Sequence, residues 1–217
     1  MRKQAGVKYL ASGTDESQPG SRRKVLRNLL GITNVRTMED EELAAYMSAE
    51  RDLVQTFTAA RRFTIKDVDF IHRKFLGRIY PWAGKYRDVN LSKGGFVFAS
   101  AMAIPRAMKE FERKILATHT PCRGRTVEEI AGHIAIVHVE LLLIHAYREG
   151  NGRAARLLAT LMAYQAGMAG LDFGFIGSRG KEFDGYVSAI HAGLKENYRP
   201  MAAIMKRALT RALRKSR

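Results

Sequence analysis

Apolar residues recur every three or four positions along most of the chain, and this spacing predicts amphipathic helices. One helix is expected to begin at Thr37, whose hydroxyl would cap an acidic first turn. Another is expected to run from Thr64 to Gly77. The apolar face of the first helix is expected to contain Leu43, Met47, Val54 and Phe57.

The most apolar helix is predicted after residue 126, where Thr126 and Glu129 can form a capping box. Pro105 fits the first turn of the preceding helix, since a missing N–H costs nothing there. The apolar helix is expected to bury Val127, Ile130, Ile134, Val137, Leu141 and Ile144. Three more helices are expected, from about Gly152 to Ala166, from about Lys181 to Glu196, and, rich in basic residues, after Pro200.

One stretch has a different pattern. Residues 86–100 read YRDVNLSKGGFVFAS, two short β-prone runs joined by Lys93, Gly94 and Gly95. Glycines between two such runs are typical of a β-hairpin. The sequence therefore predicts an all-α helical bundle with one small β-hairpin flap.

Composition favours a single domain with a core, because 46% of the 217 residues are hydrophobic. Cys122 is the only cysteine, so an internal disulfide is impossible and cytoplasmic localisation is expected. The apolar run from Ile134 to Ile144 is too short for a membrane span, and the N-terminal residues do not resemble a signal peptide. We therefore expect no membrane association.

The net charge of +16 lies mainly at the ends of the chain. Residues 1–36, a basic N-terminal arm and first helix, hold eight Lys/Arg against two acidic residues, and residues 199–217, a basic C-terminal helix, hold seven against none. The core, residues 37–198, is close to neutral. Such ends fit solvated faces or partner surfaces better than a nucleic-acid interface, although a nucleic-acid-binding protein is the non-enzymatic alternative.

The densest group of chemically useful residues is HAYREGNGRAAR, residues 145–156, between two predicted helices. Gly150, Asn151 and Gly152 tolerate left-handed backbone angles, so their N–H groups can form an anion-binding nest at a helix N-terminus. Arg153 and Arg156 share one helix face and can bind phosphate oxygens. The pattern predicts a polyphosphate site.

Glu149 and His145 complete this chemistry. An acidic residue beside an anion site is explained by Mg²⁺ that bridges Glu149 and the phosphates, and His145 can act as a base near neutral pH. Taken singly, each residue also has a structural explanation, as a helix terminus or a solvated face. A zinc site is the rival, but His138 and His145 lie two helical turns apart, too far for one ion.

This stretch resembles the signature of the Fic-domain family, H-x-F-x-[D/E]-G-N-G-R-x-x-R. The resemblance covers roughly residues 20–205, because VLRNLLGIT, YPWAGKYRDVNLSKGG and LMAYQAG also resemble stretches of Fic proteins. It implies a protein adenylyltransferase of Fic fold that moves AMP from ATP to a Ser, Thr or Tyr hydroxyl.

The resemblance also implies roles for the individual residues. His145 would deprotonate the target, Glu149 would hold Mg²⁺, and Arg153 and Arg156 would clamp the β/γ end of ATP. The ATP phosphates would be cradled by Gly150, Asn151 and Gly152. An unidentified target protein would dock along a flap formed by Asn90, Leu91, Ser92, Lys93, Gly94, Gly95, Phe96, Val97, Phe98 and Ala99.

The motif departs from the family pattern at Ala146, commonly Pro, and at Tyr147, commonly Phe. Neither change removes a catalytic group, so activity is expected. The flap strands are expected to offer unpaired backbone to the target.

Many Fic proteins are inhibited by a glutamate in the pattern [S/T]-x-x-x-E-[G/N], which pairs with the second motif arginine. Near-matches that fail at the last position are Ser12/Glu16/Ser17, Thr37/Glu41/Glu42 and Ser178/Glu182/Phe183. We therefore expect a small inhibitory antitoxin to supply the glutamate, with the chain acting as a bacterial toxin or effector.

Overall fold

The computed structural model describes the backbone of residues 10–11 together with residues 16–177 and 179–215. Ser12 and Ser178, which begin two of the near-matches to the inhibitory pattern, lie outside the described residues. The described helices are α1 (Val35–Thr56), α2 (Ile65–Leu76), α3 (Ile104–Glu110), α4 (Ala117–His119), α5 (Val127–Ile144), α6 (Asn151–Gln165), α7 (Lys181–Ala192) and α8 (Arg199–Lys215). A π-helical segment (Phe111–Leu116) joins α3 to α4, and 3-10 segments occupy Ala101–Ala103 and Gly193–Lys195. The mostly helical fold class is thereby confirmed.

Helix α5 lies at the centre of the fold, and α6 and α8 pack against it. The stripe predicted on α5 is buried, except that Val127 at its start is partly exposed. The Thr126 hydroxyl caps the helix as predicted, since it accepts a hydrogen bond from the N–H of Glu129. The Glu129 carboxylate binds the N–H of Arg125 instead, so the cap differs from the expected box.

Two other predicted helix starts are confirmed. Thr64 caps α2 through a reciprocal box with Asp67, and Gly77 ends the helix. Pro105 lies in the first turn of α3. These local signals succeed because they involve residues only a few positions apart.

The first helix differs from its prediction at the start and on its buried face. It begins at Val35, because the Asn34 side chain, not Thr37, accepts the capping hydrogen bond. Leu43 and Met47, expected in the core, are 57% and 53% exposed. The face turned inward carries Met38, Glu42, Ala49 and Leu53. The buried face was not recognised from the sequence because it contains a charged residue, Glu42. The spacing of hydrophobic residues cannot show that a glutamate has a buried partner.

No helix lies in residues 16–34 of the basic N-terminal range, which form turns and a bridge between Ser17 and Leu26; the first helix begins only at Val35. Asn28 explains why this stretch is not helical. Its side chain donates to the carbonyls of Leu26 and Ile32 and accepts from the N–H groups of Leu30 and Ile32. Asparagine that bonds to nearby backbone in this way competes with helix formation.

The predicted hairpin is present as β2 (Leu91–Lys93) and β3 (Phe96–Val97). Gly94 and Gly95 form its turn with φ of 58° and 84°, angles that favour glycine in two-residue hairpin loops. A short strand β1 (Leu10–Ala11) pairs with the other edge of β2. The expectation that both flap strands offer unpaired backbone is therefore wrong for β2, which is central in the sheet.

The basic C-terminal helix α8 packs against the core and does not project from it into solvent. Its apolar face is buried through Met201, Met205, Ala208 and Leu209. Ion pairs join Lys206 to Glu128, Arg207 to Glu182, and both Arg211 and Lys215 to Asp172. Much of the positive charge that suggested a polyanion partner is thus used within the chain, which weakens the nucleic-acid alternative.

Cys122 is buried and free of any disulfide, and burial raises the pKa of its thiol to about 12. Such a thiol is unreactive near neutral pH. In the part of the chain that the structure describes, no helix is both long and apolar enough to span a bilayer.

Candidate active site

The predicted cluster forms the buried loop between α5 and the start of α6. Helix α5 ends because His145 has left-handed backbone angles, φ 54° and ψ 54°. The chain turns again at Gly150, whose φ is 82°. A Cβ at Gly150 would lie 2.6 Å from Leu76 Cδ1, so both the angle and the space require glycine. Helix α6 begins directly at Asn151, which places its positive end at this turn.

The Asn151 side chain shapes the loop with both of its polar atoms. Its Oδ1 accepts from the N–H of Tyr147 at 2.8 Å, and its Nδ2 donates to the Tyr147 carbonyl at 2.7 Å. Any contact of Asn151 with a phosphate would therefore come from its backbone N–H.

Tyr147 and His72 connect the loop to α2. The Tyr147 hydroxyl donates to Asp69 Oδ1 at 2.7 Å, and its ring stacks on His72 at 3.8 Å. His72 Nδ1 accepts from the N–H of Gly84 at 2.9 Å, so in the neutral ring Nε2 carries the proton and donates to the Glu149 carbonyl at 2.9 Å. Burial lowers the pKa of His72 to about 4, which keeps the ring neutral near pH 7.

The surroundings of His145 fix its protonation and its tautomer. Its Nδ1 lies 3.2 Å from the Leu142 carbonyl, which can only accept, so Nδ1 donates and Nε2 carries the lone pair. Burial lowers the pKa of His145 to about 3, and the charges of Arg87 and Lys93 add to this effect. The ring stacks against Phe98 of the flap with centroids 3.8 Å apart. The flap therefore covers a neutral imidazole.

Arg87, which sequence reasoning missed, ties the flap to the loop. Its backbone N–H donates to the Ala146 carbonyl and its Nε to the His145 carbonyl, at 2.9 and 2.8 Å. Its Nη1 and Nη2 donate to the carbonyls of Val89 and Ala99, at 2.6 and 2.5 Å, on either side of the hairpin. Every partner is a backbone carbonyl, so sequence spacing carries no signal of this role.

Glu149 and Arg153 meet across the first turn of α6. Glu149 Oε1 accepts from the N–H of Gly150 at 2.9 Å and lies 3.4 Å from Arg153 Nη2. Arg153 Nη1 pairs with Glu42 Oε2 at 2.6 Å, and the Tyr80 hydroxyl donates to Glu42 Oε1 at 2.7 Å. The first motif arginine is thus held between two carboxylates.

Arg156, one turn further along α6, is held differently. Its guanidinium carbon lies 5.2 Å from the centre of the Phe173 ring and 5.4 Å from that of Tyr186. Its Nε is buried without a hydrogen-bond partner, and among the described residues no carboxylate forms an ion pair with it. The second motif arginine therefore retains its charge for an incoming anion.

None of the three glutamates in the near-matches reaches that arginine. Glu16 pairs with Arg148, Glu41 is exposed, and Glu182 pairs with Arg207 at 2.9 Å. The structure thus supplies no inhibitory glutamate from these patterns within the described residues.

A magnesium ion fits the donor set through Glu149. In the described parts of the chain no three His, Cys, Asp or Glu side chains cluster as a metal site. Mg²⁺ needs no such cluster, because one or two carboxylates with substrate phosphates and water complete its shell. Glu149 stands beside the Gly150 turn, where phosphates are expected.

The fold and the site define a helical protein with a flap-covered histidine beside a glycine-rich anion turn. The model of the Fic/DOC family matches residues 62–163, which include most of the motif's surroundings and the motif itself. Residues 62–163 therefore match a Fic/DOC domain, and the resemblance of the chain to Fic proteins is confirmed.

Relatives and solved structures agree with this assignment. The chain is 31% identical to the protein adenylyltransferase VbhT of Bartonella schoenbuchensis over 74% of its own length and 33% of VbhT. It is 27% identical to the probable protein adenylyltransferase y4lH of Sinorhizobium fredii, over 74% of this chain and 81% of that one. The crystal structure of BepC of Bartonella tribocorum with bound AMPPNP superposes with a TM-score of 0.68 at 22% identity, covering 84% of this chain and 91% of BepC. The chain therefore spans about a third of the length of VbhT.

Proposed function

We propose that the chain is a protein adenylyltransferase that moves AMP from ATP to a hydroxyl of a target protein. The names of the relatives support this reaction, and AMPPNP in BepC supports a nucleotide substrate. The observation that carries the proposal is the neutral His145 held beside the Gly150 turn and the N-terminus of α6.

The groups of the motif loop and of the first turns of α6 suffice for an in-line displacement. The target oxygen forms a bond to the α-phosphorus, the bond from that phosphorus to the diphosphate breaks, and His145 Nε2 takes the hydroxyl proton. The backbone N–H groups of the Gly150–Gly152 turn, with Arg153 and Arg156, would stabilise the phosphate charge. Bound Mg²⁺, held by Glu149, would supply further charge neutralisation on the diphosphate.

The test is transfer of label from ATP, with Mg²⁺, to proteins of a bacterial lysate. His145→Ala should abolish labelling while ATP binding stays within a few fold, because only the base is lost. His133→Ala, which removes a histidine outside the loop, is the matched control and should label normally. Full-rate labelling by His145→Ala would exclude the mechanism.

The flap, Asn90 to Ala99, is the proposed docking element for the target. Val97 is 72% exposed in β3, and because β2 is central in the sheet, the outer edge of β3 is the edge of the hairpin that an added strand can use. Val97→Pro should reduce labelling of the target more than ATP binding, and Val97→Thr is the matched control. Equal losses in both measurements would make the hairpin merely structural.

We further propose that a separate antitoxin inhibits the chain. The chain would then act as a bacterial toxin or effector in the cytoplasm. Arg156 supports it, because none of the ion pairs among the described residues includes Arg156 and a partner's glutamate could pair with it. If control is exerted in trans, none of Glu16→Gly, Glu41→Gly and Glu182→Gly should transfer AMP faster than the wild type. A large gain in any one of them would place the inhibitor within the chain.

A further inference from the structure

We propose that His138 and Tyr186 act as positioning residues, forming a buried relay that orients Arg156 toward the terminal phosphates of ATP. The inference rests on the proposed function, since it concerns how the second motif arginine is presented to the nucleotide. Neither residue belongs to the motif loop: His138 lies in α5 and Tyr186 in α7.

The hydrogen bonds of His138 fix the direction of the relay. Its Nδ1 lies 3.1 Å from the Ala155 carbonyl, which can only accept, so Nδ1 carries the proton. Burial lowers the pKa of His138 to about 3, so the ring is neutral and Nε2 is an acceptor. The Tyr186 oxygen lies 2.6 Å from that Nε2, and the hydroxyl therefore donates to it.

This donation determines what Tyr186 presents to Arg156. Because the only hydroxyl proton points at His138, the Tyr186 oxygen offers its lone pairs to other donors. Arg156 is placed to be such a donor, since its guanidinium carbon lies 5.4 Å from the centre of the Tyr186 ring. Its charge also opposes the burial that raises the pKa of Tyr186. A neutral acceptor thus holds the guanidinium in place without cancelling its charge.

Aromatic rings confine the same arginine. Phe173 lies under the guanidinium at 5.2 Å and is also stacked with His138, with centroids 6.2 Å apart and planes at 18°. Contacts of a guanidinium with ring faces favour the cation without neutralising it. The rings and the relay together fix the guanidinium, while its Nε keeps no hydrogen-bond partner.

The placement of His138 supports a role beyond packing. A buried imidazole costs free energy unless both ring nitrogens have partners. Here one partner is the Ala155 carbonyl, on the residue before Arg156, and the other is the hydroxyl beside the guanidinium. Both bonds of His138 therefore act on the position of Arg156, one through its backbone and one through its side chain.

The experiment is calorimetric binding of ATP, ADP and AMP to the full chain and three variants. Tyr186→Phe removes only the hydroxyl and should lower the preference for ATP over AMP about fivefold, near 1 kcal/mol. Affinity for AMP, which lacks the β- and γ-phosphates, should stay unchanged and reports that the site is folded. Arg156→Ala should remove most of the same preference.

Tyr198→Phe is the matched control, because it also deletes a hydroxyl that donates to α5, at Glu140 over 2.6 Å. It should bind all three nucleotides like the wild type. If Arg156→Ala loses the preference for ATP but Tyr186→Phe keeps it, the relay is wrong while the proposed function stands. If the wild type shows no preference for ATP over AMP, or Arg156→Ala retains it, the phosphate assignment in the proposed function itself fails.

Discussion

The two sides of α6 surround their arginines in opposite ways. On the side that faces α1, Arg153 lies between Glu42 and Glu149, and its charge is compensated within the protein. On the side that faces α7, Arg156 is held by rings and by neutral groups. Residues three apart on one helix, which look equivalent in the sequence, therefore have different electrostatic roles.

If Arg153 and Arg156 bind the phosphates as proposed, one cation of the clamp is anchored and the other is available. Arg153 links the loop to α1, since the side chain of its partner Glu42 is only 5% exposed and cannot be left without a cation. Arg156 can meet an anion without first breaking an ion pair. We expect stability to depend on the α1 side and nucleotide discrimination to depend on the α7 side.

The largest effect should come from removing the anchored cation. Arg153→Met leaves Glu42 buried with only the Tyr80 hydroxyl as partner, and the free energy of unfolding should fall by about 3–5 kcal/mol. Arg156→Met, the matched change on the other side, should cost about 1 kcal/mol or less. Urea denaturation of both variants measures the two losses of unfolding free energy. Equal losses would refute the difference between the two sides of α6.

Acid should lower the stability of the packing on both sides of α6. His72 lies on the α1 and α2 side and His138 on the α7 side, and burial lowers their pKa values to about 4 and about 3. The unfolded chain binds protons below pH 6.5 whereas the folded protein does not, so stability present above that pH is lost as the pH falls.

Between pH 7 and pH 5 each of these histidines should cost about 2 kcal/mol of unfolding free energy. Urea titrations at pH 7, 6 and 5 check the slope. An unfolding free energy that stays constant over this range would show that the histidines are not held neutral.

The sequence predicted the local half of this picture. The motif from His145 to Arg156, the hairpin turn at Gly94, the helix start at Thr64 and the cap at Thr126 depend on residues close together in the chain. The contrast between the arginines could not be predicted, because Glu42 lies 111 positions before Arg153.

Three errors in α1 have the same origin. The exposed Leu43 and Met47 were expected inside, while Glu42, an acidic residue, is inside because its partner is an arginine from another helix. Hydrophobic spacing reports burial only where the buried face is apolar. Arg87 escaped notice for a related reason, since its partners are carbonyls that every residue possesses.

Arg87 extends the comparison of Arg153 with Arg156 to a third arginine. We expect its loss to lower the rate of AMP transfer more than the affinity for ATP. Arg87→Met releases the flap from the His145 loop and should lower the transfer rate about tenfold, near 1.4 kcal/mol, with ATP affinity changed less than threefold. Lys85→Met, an exposed neighbour, is the control and should transfer normally. A loss of ATP affinity as large as the loss of rate would assign Arg87 to nucleotide binding instead.

The smallest effect is expected at Tyr147, the position where the family commonly has Phe. Tyr147→Phe keeps the stacking on His72 but deletes the bond to Asp69, so unfolding free energy should fall by about 1 kcal/mol. Burial already raises the pKa of Asp69 and the Tyr147 bond opposes this rise, so the variant should shift the Asp69 titration upward. Transfer should stay within twofold of the wild type, because the hydroxyl is bonded to Asp69 of α2 and the proposed chemistry does not use it. Carboxyl NMR and urea denaturation measure the first two effects, with Tyr86→Phe as the matched tyrosine control. A large loss of transfer with little loss of stability would show that the loop depends on this hydroxyl for catalysis.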